Sequence, residues 1–331
     1  MTDYNQHEGL FLQKVTCNGH EFDLSFLRSV ALIETLDLSG PKLILCIRDP
    51  ESVIRDDWGV SPGNKLQITF ADYWNDPSLS GEVVDKYTII TMPDKSGAIE
   101  LNCMQSDVWA LKAPVVSAQM FTNSSPLTIL NRVMPGVKCE VDRFAVGPDY
   151  HILPGERRSN MLRQLAIECG AKFYYQRGKA YLKRISAMMA SIPSITYEHN
   201  NNYAANRIIS YSRPNTGEVI KDKLVRSYCG WSMTGGVIKS KNGTEAPAQM
   251  SALDSASALD NLSAVHIPDV DWVGNGSGAV RPGIAIAVKW NQDRMDSPLN
   301  ESLPEKIIVG TASHYYTEQK YLTRVKGILP I

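Results

Sequence analysis

The sequence predicts an α+β chain, mostly β, in which two antiparallel β regions flank a smaller α/β unit. Three observations carry this. Short period-two segments separated by turn residues fill the opening and closing thirds. The middle switches to helical spacing. The charge switches with it: residues 1–110 hold 8 Lys/Arg against 17 Asp/Glu, residues 131–190 hold 11 against 5, and residues 241–305 hold 4 against 9.

In the opening region, to about Ala113, Leu43–Ile47 is an apolar run of strand length, and Lys65–Phe70 alternates as a half-buried strand should. Asp85–Ile90 and Ala98–Cys103 read the same way. Ser39-Gly40-Pro41, Ser61-Pro62-Gly63-Asn64 and Pro93-Asp94-Lys95-Ser96-Gly97 supply the turns. Frequent short strands with polar turns point to a barrel or sandwich. No glycine-rich loop leads from a strand into a helix there, which speaks against a nucleotide site.

The middle unit opens on Ser125, an N-cap for a helix whose first residue is Pro126. Leu127, Leu130, Val133 and Met134 form its predicted apolar stripe, and Pro135-Gly136 ends it. Val137–Phe144 is a predicted strand. A second helix is expected from about Gly155-Glu156, with Leu162, Leu165, Ala166 and Cys169 at helical spacing and Gly170 as its left-handed cap. Lys172–Tyr175 and Ala180–Ile185, joined by Gln176-Arg177-Gly178-Lys179, make a β-hairpin.

From about Ile195 the β pattern returns. Predicted strands are Asn206–Tyr211, Lys223–Tyr228, Lys306–Gly310 and Tyr321–Leu329. An insertion near residues 240–280 separates them, with one exposed helix in Ser251–Ala264 and a flexible loop at Asn275-Gly276-Ser277-Gly278.

The 331 residues, 43% hydrophobic and 21% charged, suit a soluble globular chain of two or three domains. With 34 basic and 35 acidic side chains, total charge argues for neither nucleic acid nor membrane. Met1-Thr2-Asp3-Tyr4 has neither a basic nor an apolar stretch of a secretory signal, and no apolar run is long enough for a membrane helix. The cysteines Cys17, Cys46, Cys103, Cys139, Cys169 and Cys229 never approach the spacing of a zinc motif. Buried free thiols and cytoplasmic synthesis are expected.

No residue stands out as catalytic, cofactor-binding or metal-ligating, and no cofactor is expected. His7, His20, His151, His199, His266 and His314 form no H-x-x-H or H-x-H pair. Asp56-Asp57 and the Asp269/Asp271 pair invite a cation or glycosidase reading, against which a solvated loop beside Pro268 is the plainer one. Gly235-Gly236 lacks the lysine and helix of a phosphate loop. Arg157, Arg158, Arg163, Lys172, Arg177, Lys179, Lys183 and Arg184, interleaved with Tyr174, Tyr175 and Tyr181, could bind single-stranded nucleic acid. Alternatively, the tyrosines are strand residues with exposed cationic neighbours, or the basic face meets an acidic protein surface such as the opening region of a neighbouring copy.

The run Glu156–Ala166, then Gly170–Tyr175, then Gly178–Leu182, resembles the central hub proteins of contractile phage tails, the late-control D family, and the N-terminal hub module of the valine-glycine repeat spike proteins of type VI secretion. The segment order and Thr311–Tyr316 to Tyr321–Thr323 resemble it too. The resemblance implies a first tube-like β domain over 1–113, an α/β domain over 114–194 and a second tube-like β domain over 195–331. It further implies a non-enzymatic virion protein of the tail baseplate, assembled in the host cytoplasm. Three copies would form a pseudo-sixfold ring adapting the hexameric tail tube to a trimeric spike. Expected partners are two further copies, a separate spike chain, tube or tube-initiator proteins and a tape-measure protein. Genome DNA would pass through the channel without specific binding, and no membrane insertion is expected. A cell-wall hydrolase and a nucleic-acid module centred on 157–184 are the rival readings. Interface residues carry no spacing signature.

Overall fold

The computed structural model describes residues 11–49, 51–71, 83–94, 97–144, 148–213, 226–241, 248–292, 302–317 and 320–330. The opening region contributes β1 (Phe11–Cys17), β2 (His20–Glu21), β3 (Leu27–Thr35), β4 (Lys42–Arg48), β5 (Lys65–Ala71), β6 (Val83–Thr91) and β7 (Ala98–Gln105). They pair in the order β3-β4-β7-β6-β5-β1-β2. Alternation decides the faces: on β4, Leu43, Leu45 and Ile47 are buried while the residues between them are not. These side chains meet Leu66, Ile68, Tyr87, Ile89 and Leu101 in one core.

The middle unit holds α1 (Ser106–Ala110), β8 (Gln119–Phe121), α2 (Pro126–Val133), β9 (Lys138–Val141), β10 (Tyr150–Ile152), α3 (Arg158–Glu168), β11 (Ala171–Gln176), β12 (Lys179–Arg184) and α4 (Ile185–Ala190). The Ser125 hydroxyl accepts from the Thr128 amide at 3.2 Å, so the N-cap forms as read. The stripe differs from expectation. Ile129, Leu130 and Val133 are buried with Pro126, whereas Leu127 is exposed, because Ile129 rather than Leu127 lies on the inward arc with Leu130 and Val133. α3 starts at Arg158, after Gly155 turns the chain at φ +86°, and Gly170 caps its end at φ +57°. β9 is shorter than predicted and lies parallel to β12, completing a three-stranded sheet with β11. The helices α1 and α4 and the β8–β10 pair have no counterpart in the sequence reading.

The closing region holds β13 (Ile195–His199), β14 (Arg207–Ser212), β15 (Tyr228–Ser232), β16 (Gly236–Lys239), β17 (Gln249–Met250), α5 (Ala256–Leu262), β18 (His266–Asn275), β19 (Ala285–Trp290), β20 (Lys306–Thr317) and β21 (Lys320–Pro330). Six of these strands, in the order β19-β13-β14-β18-β21-β20 and back to β19, close a barrel. Most neighbours are antiparallel; β13 runs parallel to both of its own. Tyr197, Trp272 and Trp290 fill the interior with aliphatic residues. Residues 223–225 of the expected strand Lys223–Tyr228 lie outside the described residues, and Tyr228 opens β15.

Three expectations need correction here. The helix within Ser251–Ala264 is short and not free: Leu259 is fully buried, and the Asn261 side chain donates to the Glu168 carbonyl at the end of α3. β18 is a barrel strand inside the stretch read as insertion. The glycine loop that follows it is pinned, since Ser277 is buried and its amide donates to Thr323 Oγ1 at 2.9 Å.

β20 is 12 residues long, more than twice the strand predicted there. One of its edges pairs with β21 over residues 308–317. Its other edge pairs with β19 over residues 306–308 and with β3 over residues 311–317. The two β regions are therefore one continuous hydrogen-bonded sheet.

Candidate functional site: a buried polar joint between the two β regions

Where β3, β20 and the β11–β12 hairpin converge, the structure buries a carboxylate, a guanidinium and an imidazole. On β3, period two turns Val30, Leu32 and Glu34 to the same inward side, so a carboxylate stands where a third apolar residue belongs. Glu34 is 1% exposed. Arg177 meets it two-pronged, Nη2 to Oε2 at 3.1 Å and Nε to Oε1 at 3.3 Å. Planar, bidentate pairing is the geometry in which a guanidinium best offsets the desolvation of a buried carboxylate.

Arg177 reaches that position through an unusual backbone. It occupies the first central position of the hairpin turn at φ +46°, followed by Gly178 at φ +82°, the two left-handed residues of a type I′ turn. A non-glycine residue there is strained. The turn aims the guanidinium across at β3.

His314 Nε2 lies 3.6 Å from Glu34 Oε2 and 3.0 Å from the Val280 carbonyl oxygen. A carbonyl only accepts, so Nε2 carries a hydrogen, while Nδ1 lies 2.9 Å from the Tyr321 hydroxyl. Burial alone would push the Glu34 carboxyl up; Arg177, with His314 beside it, instead holds it down at about 2. The joint thus ties three stretches of chain through one ionised carboxylate.

A second polar cluster links the opening region to the same hairpin. Asp85 Oδ1 accepts from Gln105 Nε2 at 3.1 Å, from the Tyr175 hydroxyl at 3.1 Å and from the Lys86 amide at 2.8 Å. Burial outweighs these donors and raises the Asp85 carboxyl to about 6. Its Oδ2 is buried without a partner among the described residues.

The sequence-highlighted groups scatter. Tyr174 and Tyr175 are buried and the half-buried Tyr181 stacks on Tyr174 at 5.1 Å, so the hairpin tyrosines pack on one another and on the core rather than standing free as a platform for bases. Lys179 pairs with Glu140 at 3.0 Å, Lys183 with Asp142 at 3.4 Å, and Arg184 lies over the Phe144 ring. Arg157 and Arg163 are exposed. Asp269 and Asp271 sit in β18 rather than in a loop, and each has its own arginine, Arg213 at 3.1 Å and Arg324 at 3.7 Å. Asp56 and Asp57 are exposed at the end of a π-helical turn, Val53–Asp57, and Gly235-Gly236 turn the β15–β16 hairpin.

Of the other histidines, His20 stacks on Trp58, His199 meets Tyr211 edge-on, and burial pulls His266 down to about 4. His7 lies outside the described residues. The six cysteines are free, Cys17 and Cys103 fully buried and four partly so. Among the described residues no three His, Cys, Asp or Glu side chains gather as a metal site would require.

Glu34, Arg177 and His314 went unnoticed as a set. The available signal was local: an acid in the inward row of an apolar strand, and an arginine where a hairpin turn wants glycine or asparagine.

No protein-family model and no curated protein matches the sequence. Solved structures do match the fold. A tail protein from Neisseria meningitidis MC58 aligns over 97% of this chain and 97% of its own, with a TM-score of 0.63 at 11% identity. The fold is that of phage tail proteins. The 43 kDa tail protein of prophage MuSo2 from Shewanella oneidensis covers 95% and 97% with a TM-score of 0.61 at 10% identity. The E. coli c3393 protein, a type VI secretion component described as structurally similar to T4 tail proteins gp27 and gp5, covers 96% of this chain and 77% of its own, with a TM-score of 0.56 at 8% identity. The joint therefore sits at the centre of a tail-protein fold, between its two β regions.

Proposed function

We propose that this chain is a structural hub of a contractile phage tail and performs no reaction. Three copies form a ring in which each contributes two barrel-like units, giving pseudo-sixfold symmetry toward a hexameric tube and threefold symmetry toward a separate spike. The observation that supports this best is the single sheet running through both β regions, in a chain whose length aligns almost entirely with tail proteins. A ring element that bears load during contraction benefits from units that cannot slide apart. The shared strand β20 and the buried Glu34–Arg177 pair provide that rigidity.

The acidic balance of the opening and closing regions suits a channel through which DNA passes without adhering. Two further copies, the spike, the tube or its initiator and a tape-measure protein are the partners this role requires, in the virion tail.

Light scattering on purified protein is expected to give three times the 36.7 kDa chain mass, with a three-fold ring in electron images. A monomer at every concentration, with no ring in images, would overturn the proposal.

A further inference from the structure

Between β12 and the Arg281–Ile284 turn lies an open groove of about 480 Å³, in the range of recognition sites. Its lining is rich in donors. Lys179 and Lys183 line it with their partners Glu140 and Asp142, and Arg281 makes three cations against two carboxylates. The stacked Tyr174 and Tyr181 form one wall; burial raises both hydroxyls above the ordinary tyrosine range, so they remain donors. Gln176 lies in the same lining, is 4% exposed, and its Nε2 has no hydrogen-bond partner among the described residues. A buried amide left without an acceptor is uncommon in a finished structure.

The opposite charge is concentrated elsewhere on the chain. Asp94, Asp56 and Asp49 lie near Arg55, which pairs with Asp94, and Glu51 and Asp57 stand in the same short stretch of sequence. The turn is braced rather than loose. The Asp49 carboxylate accepts the Ile54 and Arg55 amides, and Ile54 is buried in the opening core while Glu51, Asp56 and Asp57 are exposed. The acidic turn thus lies on one region, and a groove lined by three cations and two carboxylates lies on another.

We infer that the groove between β12 and Arg281–Ile284 receives the acidic turn around Asp56 and Asp57 of a second copy of this chain. The inference rests on the three-copy reading above. Two different patches of one chain that fit each other make a heterologous contact, the kind that closes rings. Charge complementarity also fixes the register of such a contact more than its strength.

The test mixes ¹⁵N-labelled and unlabelled full-length protein, couples carboxylates to amines with a zero-length carbodiimide, and identifies mixed-isotope links by mass spectrometry. Links from Asp56 or Asp57 to Lys179 or Lys183 between copies are expected. Asp56→Lys with Asp57→Lys, and separately Arg281→Glu, should each raise the concentration needed for the oligomer about tenfold. Combining all three substitutions should restore association, with circular dichroism confirming that each variant folds. A trimer that forms without those links, or a charge swap that fails to restore association, overturns the inference and leaves the ring intact. Links to an added spike or tube protein in place of a second copy also overturn it. Absence of any oligomer removes both.

Discussion

The two β regions solve the same problem differently. The closing one is sealed: β20 bonds to β19, the ring of six strands has no gap, and Tyr197, Trp272 and Trp290 fill it. The opening one has seven strands in a row, the last of them the two-residue β2, yet among the described residues β1 and β3 share no ladder. Between them sits the end of the β20–β21 hairpin, where Tyr316 and Tyr321 pack on the opening core. Closure is incomplete, and a cavity of about 150 Å³ remains beside Leu12, Leu24, Leu27 and Phe70.

The difference follows from the arithmetic of strand edges. A strand has two edges, and β21 occupies one edge of β20 over residues 308–317. The other edge is divided: residues before Gly310 close the second barrel, and residues after it bond to β3. The register shifts between Val309 and Thr311, where the division falls. The strand that seals one barrel therefore also fastens the other, and the opening region is held partly by its neighbour.

The largest effect should come from cutting that fastening. Arg177→Met leaves Glu34 buried without its guanidinium, which is expected to cost about 3–5 kcal/mol. Replacing both, with Glu34→Gln, should return a substantial part of it. Glu34 has a folded-state carboxyl lowered to about 2, so its contribution is fully present above the ordinary value near 4.5 and is lost as pH falls from there toward 2. Denaturant titrations at pH 7 and pH 3 would show the penalty shrinking at the lower pH. A loss under 1 kcal/mol at pH 7 would mean the joint is ornamental.

A smaller effect of opposite sign is expected at Asp85, on the opening side. Its folded-state carboxyl is raised from 3.8 to about 6, so the fold favours the protonated form, and stability is lost as pH rises through that window. At pH 7.5 the ionised group costs up to about 3 kcal/mol. Asp85→Asn keeps the acceptor for Gln105 and Tyr175 and removes the charge. The variant should be more stable than wild type at pH 7.5 and gain little near pH 4. Equal destabilisation at both values would contradict a buried, reluctantly charged carboxylate.

How much of this was legible depended on whether the deciding contact was local. β4 is an apolar run and β5 alternates in sequence, each within seven residues, and Ser125-Pro126, Gly170 and Arg177-Gly178 are caps and turns that act on their immediate neighbours. Those read correctly. Pattern alone carried β20 only to Gly310, because Thr311 and Ser313 look polar and their strand character comes from β3, nearly three hundred residues away; the family resemblance of Thr311–Tyr316 and Tyr321–Thr323 to a closing hairpin marked the rest, and that hairpin is there. Asp269 looked like a loop residue for the same reason: its partner Arg213 is 56 residues distant. The groove is assembled from a hairpin and a turn about a hundred residues apart, and no spacing could announce it.

The smallest prediction tests the contrast between open and sealed barrels most directly. Val30 lines the cavity of the opening region, whereas Val325 is fully buried in the closed barrel's core. One added methylene should find space at the first site and none at the second. Val30→Ile is expected to gain up to about 1 kcal/mol by filling a void. Val325→Ile is expected to lose about 1–3 kcal/mol, since an occupied core accepts extra volume only by moving side chains off their rotamers. Both substitutions add the same group to a β strand, so propensity cancels and their difference reports packing alone. If the two changes had the same sign and size, the cavity would not be a real distinction between the regions, and the asymmetry traced to the divided edge of β20 would lose its energetic consequence.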